Sequence, residues 1–191
     1  SNDSFVSESC TLVELIRCIL DGDLARGSEL LENPGFDSDF HVFVSRIHGA
    51  RINIWLGRTA QLQGMLEGTQ KFVQSETAPQ IWRPARAWLL AASGRVEEAS
   101  SQLRKWLSDA ESVEDAKIWE LVGALDAAVR LGDADLARQL SSPLKAVAHV
   151  ASGGFLALVS VGRLLGASAE LQGDHGSARS LYEVALVAAE V

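Results

Sequence analysis

Apolar residues along this chain recur every three or four positions, and short stretches rich in glycine, proline or polar residues interrupt them. In the first stretch Leu12, Leu15, Ile16 and Ile19 fall on one face of a helix. The same period predicts helices in pairs: residues 5–20 and 23–32, 39–56 and 58–74, 81 up to Gly94 and 96–110, 113–131 and 133 onward, 155–171 and 174–191. Asn33-Pro34-Gly35, the run from Ser75 to Pro79, and a pivot at Ala151-Ser152-Gly153-Gly154 supply the breaks. Pro84 is tolerable because it falls in a first helical turn, whereas Pro143 is expected to divide or end the second helix of the fourth pair.

A glycine stands between the two helices of every pair: Gly22, Gly57, Gly94, Gly132 and Gly173, with gaps of 35, 37, 38 and 41 residues. Each precedes Asp or Arg. Five positions on stand Gly27, Leu62, Ala99, Ala137 and Ala178, and eight on stand Leu30, Met65, Gln102, Leu140 and Leu181. Glycine past a helix end supplies the left-handed conformation that reverses the chain, and an adjacent Asp can cap the next helix. A small residue one and a half turns later lets paired helices approach. A period of about 20 to 50 residues marks stacked repeats. The expected fold is therefore all-α, about five antiparallel helix pairs and about ten helices, with the last two pairs the most irregular because the interval lengthens.

Composition narrows the function. The net charge of −8 disfavours binding to nucleic acid or anionic membrane, and a hydrophobic fraction of 47% is ample for a core. No apolar run reaches the length of a membrane span, and no basic segment leads into an apolar one at the start, so a soluble, cytoplasmic protein is expected. Cys10 and Cys18, about 12 Å apart along one helix, are too distant to pair. Ser1-Asn2 reads as the remnant of a cleaved tag, and the helical pattern runs to Val191 without a cap. These ends suggest one helical-repeat domain, residues 1–191, excised from a longer chain.

The stretch from Leu171 to Leu186, with Gly173, Ala178, Tyr182 and Ala185-Leu186, resembles the tetratricopeptide pattern, and the turns Ala92–Ala99 and Arg130–Ala137 resemble it again. Periods above about 34 residues, and other residues at most consensus Trp and Tyr positions, depart from it. The order of features from Trp82 onward (Trp88, the Gly94 turn, Ile118-Trp119, then the Gly132 turn, the pivot and the Gly173 turn) is similar to the C-terminal helical region of large bacterial signalling ATPases. Those proteins carry a nucleotide cyclase or a LuxR-type DNA-binding domain. The resemblance implies a tetratricopeptide-like right-handed superhelix that senses or restrains, and it carries no catalytic residue over to this chain.

Chemistry is sparse. No phosphate-binding loop ends in Lys-Ser or Lys-Thr, and no Gly-x-Ser-x-Gly elbow is present. Asp126, Asp133 and Asp135 read as caps and solvated surface. His41, His48, His149 and His175 lack metal-ligand spacing, so no cofactor or metal is expected. Arg46, Arg51, Arg83 and Arg86, on first helices of adjacent pairs, are the candidates for a basic stripe on a concave face, suited to an acidic peptide or a phosphorylated ligand. Trp82 joins them. Trp88 and Trp119 are expected in the core, and Trp82 and Trp106 nearer the surface. The expectation is a noncatalytic module for protein–protein contact and regulation in a signalling ATPase, cyclase or transcriptional regulator, with homodimerisation through apolar end faces as a further option. The alternative is a small-molecule inducer sensor, as in maltose-regulator-like proteins.

Overall fold

The computed structural model describes residues 2–32, 35–74, 82–109, 116–150 and 158–189. Among these residues there are ten α-helices and no strand: α1 (Asn2–Asp21), α2 (Leu24–Glu32), α3 (Asp39–Trp55), α4 (Leu62–Gln74), α5 (Trp82–Ala92), α6 (Val96–Asp109), α7 (Ile118–Leu131), α8 (Ala134–Ser141), α9 (Val161–Leu171) and α10 (His175–Ala189). The fold is all-α. The chain divides into two compact units, Ser1–Ala78 and Pro79–Val191.

The five interhelical glycines lie at φ between 69° and 76°. At Gly132 the closing pattern is clear: its own N–H reaches the Val129 carbonyl at 3.1 Å, and the Asp133 N–H reaches back to Ala128 at 3.2 Å. Carbonyls that helix α7 leaves without partners are thereby satisfied, in a geometry that requires positive φ. The same return bond runs from Arg58, Arg95 and Asp174 to Asn53, Leu90 and Ala169. Asp23, Asp133 and Asp174 then cap the following helix, each Oδ1 accepting an N–H three residues on at 3.0 to 3.1 Å.

The residue five after each glycine marks where paired helices touch. Gly27, Ala99, Ala137 and Ala178 are buried, and a Cβ on Gly27 would stand 3.5 Å from Cys18 Cβ of its pair partner α1 and 2.8 Å from Ile52 Cδ1 of α3. Leu62, equally buried, is the exception in size. Its pair opens with a 3₁₀ turn, Thr59–Gln61, instead of continuing as an α-helix from residue 58, and Arg58 makes no side-chain cap there.

In the first unit α1 packs on α2 and α3, α2 on α3, and α3 on α4. The second unit repeats this scheme. Each pair packs internally, α5 and α7 each pack on the next first helix, and α6 and α8 pack on the first helix of the following pair. Helix α7 is enclosed by this arrangement, so all eight residues from Leu121 to Ala128 are buried. Its sequence is apolar nearly all round, as such a position demands.

Other expectations shift. Helix α7 starts at Ile118 rather than 113: residues 110–115 lie outside the described residues, and Lys117 is extended, its N–H bound by Glu120 at 3.1 Å. Helix α9 starts at Val161 rather than 155, because the Ser160 hydroxyl caps it by accepting the Arg163 N–H. Pro143 acts as expected: helix α8 ends just before it, at Ser141, and a 3₁₀ segment, Ser142–Val147, follows. Proline has no N–H for the α-helical ladder. Asn33-Pro34, the run from Ser75 to Pro79 and the pivot at Ala151-Ser152-Gly153-Gly154 lie outside the described residues.

The tryptophans exchange roles. Trp82 and Trp106 are buried, whereas Trp119 is 37% exposed near the Lys117 ammonium and Trp55 is 50% exposed. Trp88 alone follows its expectation, buried with the Arg130 guanidinium over its ring. Asp126, read from sequence as cap or solvated surface, is 3% exposed and pairs with Arg130 at 3.3 Å. It sits mid-helix on α7, where neighbouring helices exclude water. Among the described residues no helix is long and apolar enough to cross a membrane.

Candidate functional site

The five candidate binding residues divide between the units. Arg46 and Arg51 lie on α3 of the first, and Trp82, Arg83 and Arg86 lie on α5 of the second. Arg51 is buried, and the Arg46 guanidinium rests over Gly68 of α4, in space that a side chain there would fill. On α5 the two guanidiniums engage α6. Arg83 binds the Asp109 carboxylate at 2.6 Å, and Arg86 donates to Gln102 Oε1 at 2.5 Å while the Gln102 amide donates to the Arg83 carbonyl at 3.1 Å. Burial, and then the nearby Arg95, lower the Arg86 pKa against the opposing effect of Glu98. Both arginines thus already join α5 to α6. The face they leave is a shallow cleft of about 440 Å³ in which Lys105 and Arg86 face Glu97 and Glu98.

A larger cleft, about 570 Å³, opens between α8 with its 3₁₀ extension, the end of α9 and the start of α10. Pro143 creates one wall by ending α8, and Lys145 follows on the 3₁₀ segment beside Arg138 of α8. Gly173 creates the other by turning α9 into α10, which brings Asp174, Gly176 and Ser177 to the mouth. The floor is polar and buried. Ser141 Oγ lies 2.8 Å from Ser168 Oγ, and the Gln172 amide donates to Ser168 Oγ at 3.0 Å and to its carbonyl at 2.9 Å. Ser168 is 1% exposed and Ser141 6%. Leu165, Ala169 and Leu181 add apolar surface. Hydrogen bonds from Ser177, and then the charges of His175 and Lys145, hold the Asp174 carboxyl below the usual carboxylate range.

In the first unit the buried His41 joins α1 to α3. Its Nδ1 lies 3.1 Å from Glu8 Oε2 and 2.6 Å from Ser38 Oγ, and its Nε2 lies 3.1 Å from Ser9 Oγ. Serine, histidine and carboxylate stand in the order of an acyl-transfer triad, but Ser9 sits within α1, where the surrounding N–H groups belong to the helix ladder and offer no oxyanion hole. Phe5, Phe36 and Phe40 also ring the imidazole. Its observable work is capping: Ser38 Oγ accepts the His41 N–H at 3.2 Å, and Glu8 accepts the Ser38 N–H at 3.1 Å. Among the described residues no three His, Cys, Asp or Glu side chains are grouped to hold a metal ion.

Sequence reasoning missed the α8–α10 cleft. Ser141 and Ser168 are 27 residues apart with no motif joining them, and only Pro143 and Gly173, read there as a stop and a turn, mark its edges. No protein-family model, curated protein or solved structure matches this chain.

Proposed function

We propose that this chain is a noncatalytic, tetratricopeptide-like helical-repeat module, a right-handed stack of about five pairs. Its function is to mediate protein contacts and regulation within a bacterial signalling ATPase, cyclase or transcriptional regulator. The observation that carries the reading is the repeated turn: glycine at positive φ, with the return bond from the next residue at four of the five turns and a small buried residue five positions on at four of the five. The packing of each first helix on the next within a unit agrees with it. Repeats of this kind act by position. A partner that binds one arrangement better than another shifts the equilibrium between them by its differential affinity. The test is fluorescence anisotropy with labelled Glu-rich and phosphoserine peptides, on the native chain and on Arg83→Ala/Arg86→Ala. Saturable binding to the native chain, weakened in the double variant, supports the reading. Equal binding by both, or by neither, counts against the arginine face.

The α8–α10 cleft favours a second reading, a sensor for a small molecule. Its volume lies within the range of small-molecule sites, and buried hydroxyls, an amide and opposite charges converge on it. A ligand there would touch three helices and the 3₁₀ segment at once, and would bias how the last pair packs on the one before.

A further inference from the structure

We infer that the α8–α10 cleft takes a small zwitterion of the amino-acid type, its carboxylate toward Lys145 and Arg138 and its ammonium toward Asp174 and the hydroxyl floor. The inference deepens the sensor reading and rests on it.

The floor sets the first requirement. Ser141 Oγ lies 2.6 Å from the Ala137 carbonyl, and a hydroxyl has one proton to give. With that proton on the carbonyl, the bond between the two serines is donated by Ser168. The Gln172 amide nitrogen already donates to Ser168, at its hydroxyl oxygen and its carbonyl. The hydroxyl protons and the amide of the floor are therefore turned inward, and what remains is one lone pair each on Ser141 Oγ and Ser168 Oγ, with the side-chain oxygen of Gln172. Such a floor needs a ligand that donates. Asp174 lines the same cleft from the α10 side, and its carboxyl, held low by Ser177, is ionised at neutral pH. Acceptors beside a carboxylate suit an ammonium group.

The other wall sets the opposite requirement. Lys145 and Arg138 bring two cations, and Arg138, though paired with Asp135, keeps donors in its fork. A simple anion would meet these but present nothing to the acceptor floor. A simple amine would do the reverse. An amino acid satisfies both and has a side chain for the surface of Leu165, Ala169 and Leu181.

Gly176 provides a clean control. A Cβ there meets only Asp174 Oδ1, at 3.7 Å, and the residue is helical, so Gly176→Leu fills the cleft without backbone strain. The experiment is thermal shift, followed by calorimetric titration, with the free L-amino acids at about 10 mM. Their amides, which mask the carboxylate, and their N-acetyl derivatives, which mask the ammonium, are run beside them. At least one amino acid is expected to raise the melting temperature of the native chain. Masking either end, or Lys145→Met, should weaken binding by about tenfold or more, and Gly176→Leu should abolish it while melting normally without ligand. Equal binding of the N-acetyl forms, or no shift with any amino acid, overturns the inference. Inorganic phosphate or inositol that stabilises the native chain but not Gly176→Leu would overturn the zwitterion and leave the sensor reading standing. If none of these compounds separates the two proteins, both fall.

Discussion

Three glycines of the second unit offer the same substitution in three different surroundings. At Gly176 an added Cβ has room, so Gly176→Ala should gain helix propensity, up to about 1 kcal/mol. At Gly166 the Cβ would stand 2.7 Å from Cδ1 and Cε1 of Tyr182. The ring must tilt, and it is tethered by its hydroxyl to Glu170 at 2.9 Å. Overpacking of this kind costs about 1 to 3 kcal/mol, which the propensity gain partly offsets. At Gly162 the obstacles are the carbonyl oxygens of Ala148 at 2.7 Å and Leu181 at 3.1 Å. Backbone cannot rotate aside, so helices must separate, and a net loss of about 2 kcal/mol or more follows. For a chain of this size each kcal/mol moves the melting temperature by about 2 to 4 °C. The assay is tryptophan-fluorescence melting in a Trp55→Phe background, where the remaining tryptophans Trp82, Trp88, Trp106 and Trp119 all report on the second unit. The order of stability should be Gly176→Ala, then Gly166→Ala, then Gly162→Ala. A Gly162→Ala protein that melts with its parent would refute the close approach of α9 to α10.

Asp133→Ala should cost about 1 kcal/mol in urea unfolding, through loss of the α8 cap, and Asp133→Asn should recover most of it. The exposed Arg104 that also binds Asp133 adds little. Asp174 makes the stability of the last pair pH-dependent. Its folded pKa is lowered, so its contribution is present above the ordinary carboxylate value of about 4 and is lost as pH falls through the lowered one. Acid titration of the melting temperature should show this loss, and Asp174→Asn should flatten it. Of the two thiols, exposed Cys10 should react rapidly with a disulfide reagent. Cys18 should react only on unfolding, because burial, then Asp23 and Glu14, push its thiol up; equal rates in the native protein would contradict the packing of α1.

Local chemistry made the helix pairs legible. Positive φ at a helix end needs glycine, and an adjacent Asp finds its N–H three residues on, whatever the rest of the chain does. Helix starts were harder. The apolar sequence before Ser160 has the composition of a buried helix, and only the Ser160 hydroxyl, which accepts the Arg163 N–H, marks where α9 begins. Residues whose surroundings come from distant helices were read worst. Trp119 carries the apolar signature of a core residue yet lies at the open start of α7, and Asp126 looks like surface until α7 is known to be enclosed. The α8–α10 cleft belongs to this class, since its floor is assembled from two helices that approach only after folding.

The enclosure of α7 has a consequence for cooperativity. Stacked repeats usually fray from their ends, since each touches only its neighbours. Here one helix contacts α5, α6, α8, α9 and the 3₁₀ segment. Its backbone amides can meet solvent only if several of these partners leave together. Native-state hydrogen exchange should therefore find α7 the slowest element of the second unit, with opening energies equal to those of global unfolding, and α10 exchanging through smaller, partial openings.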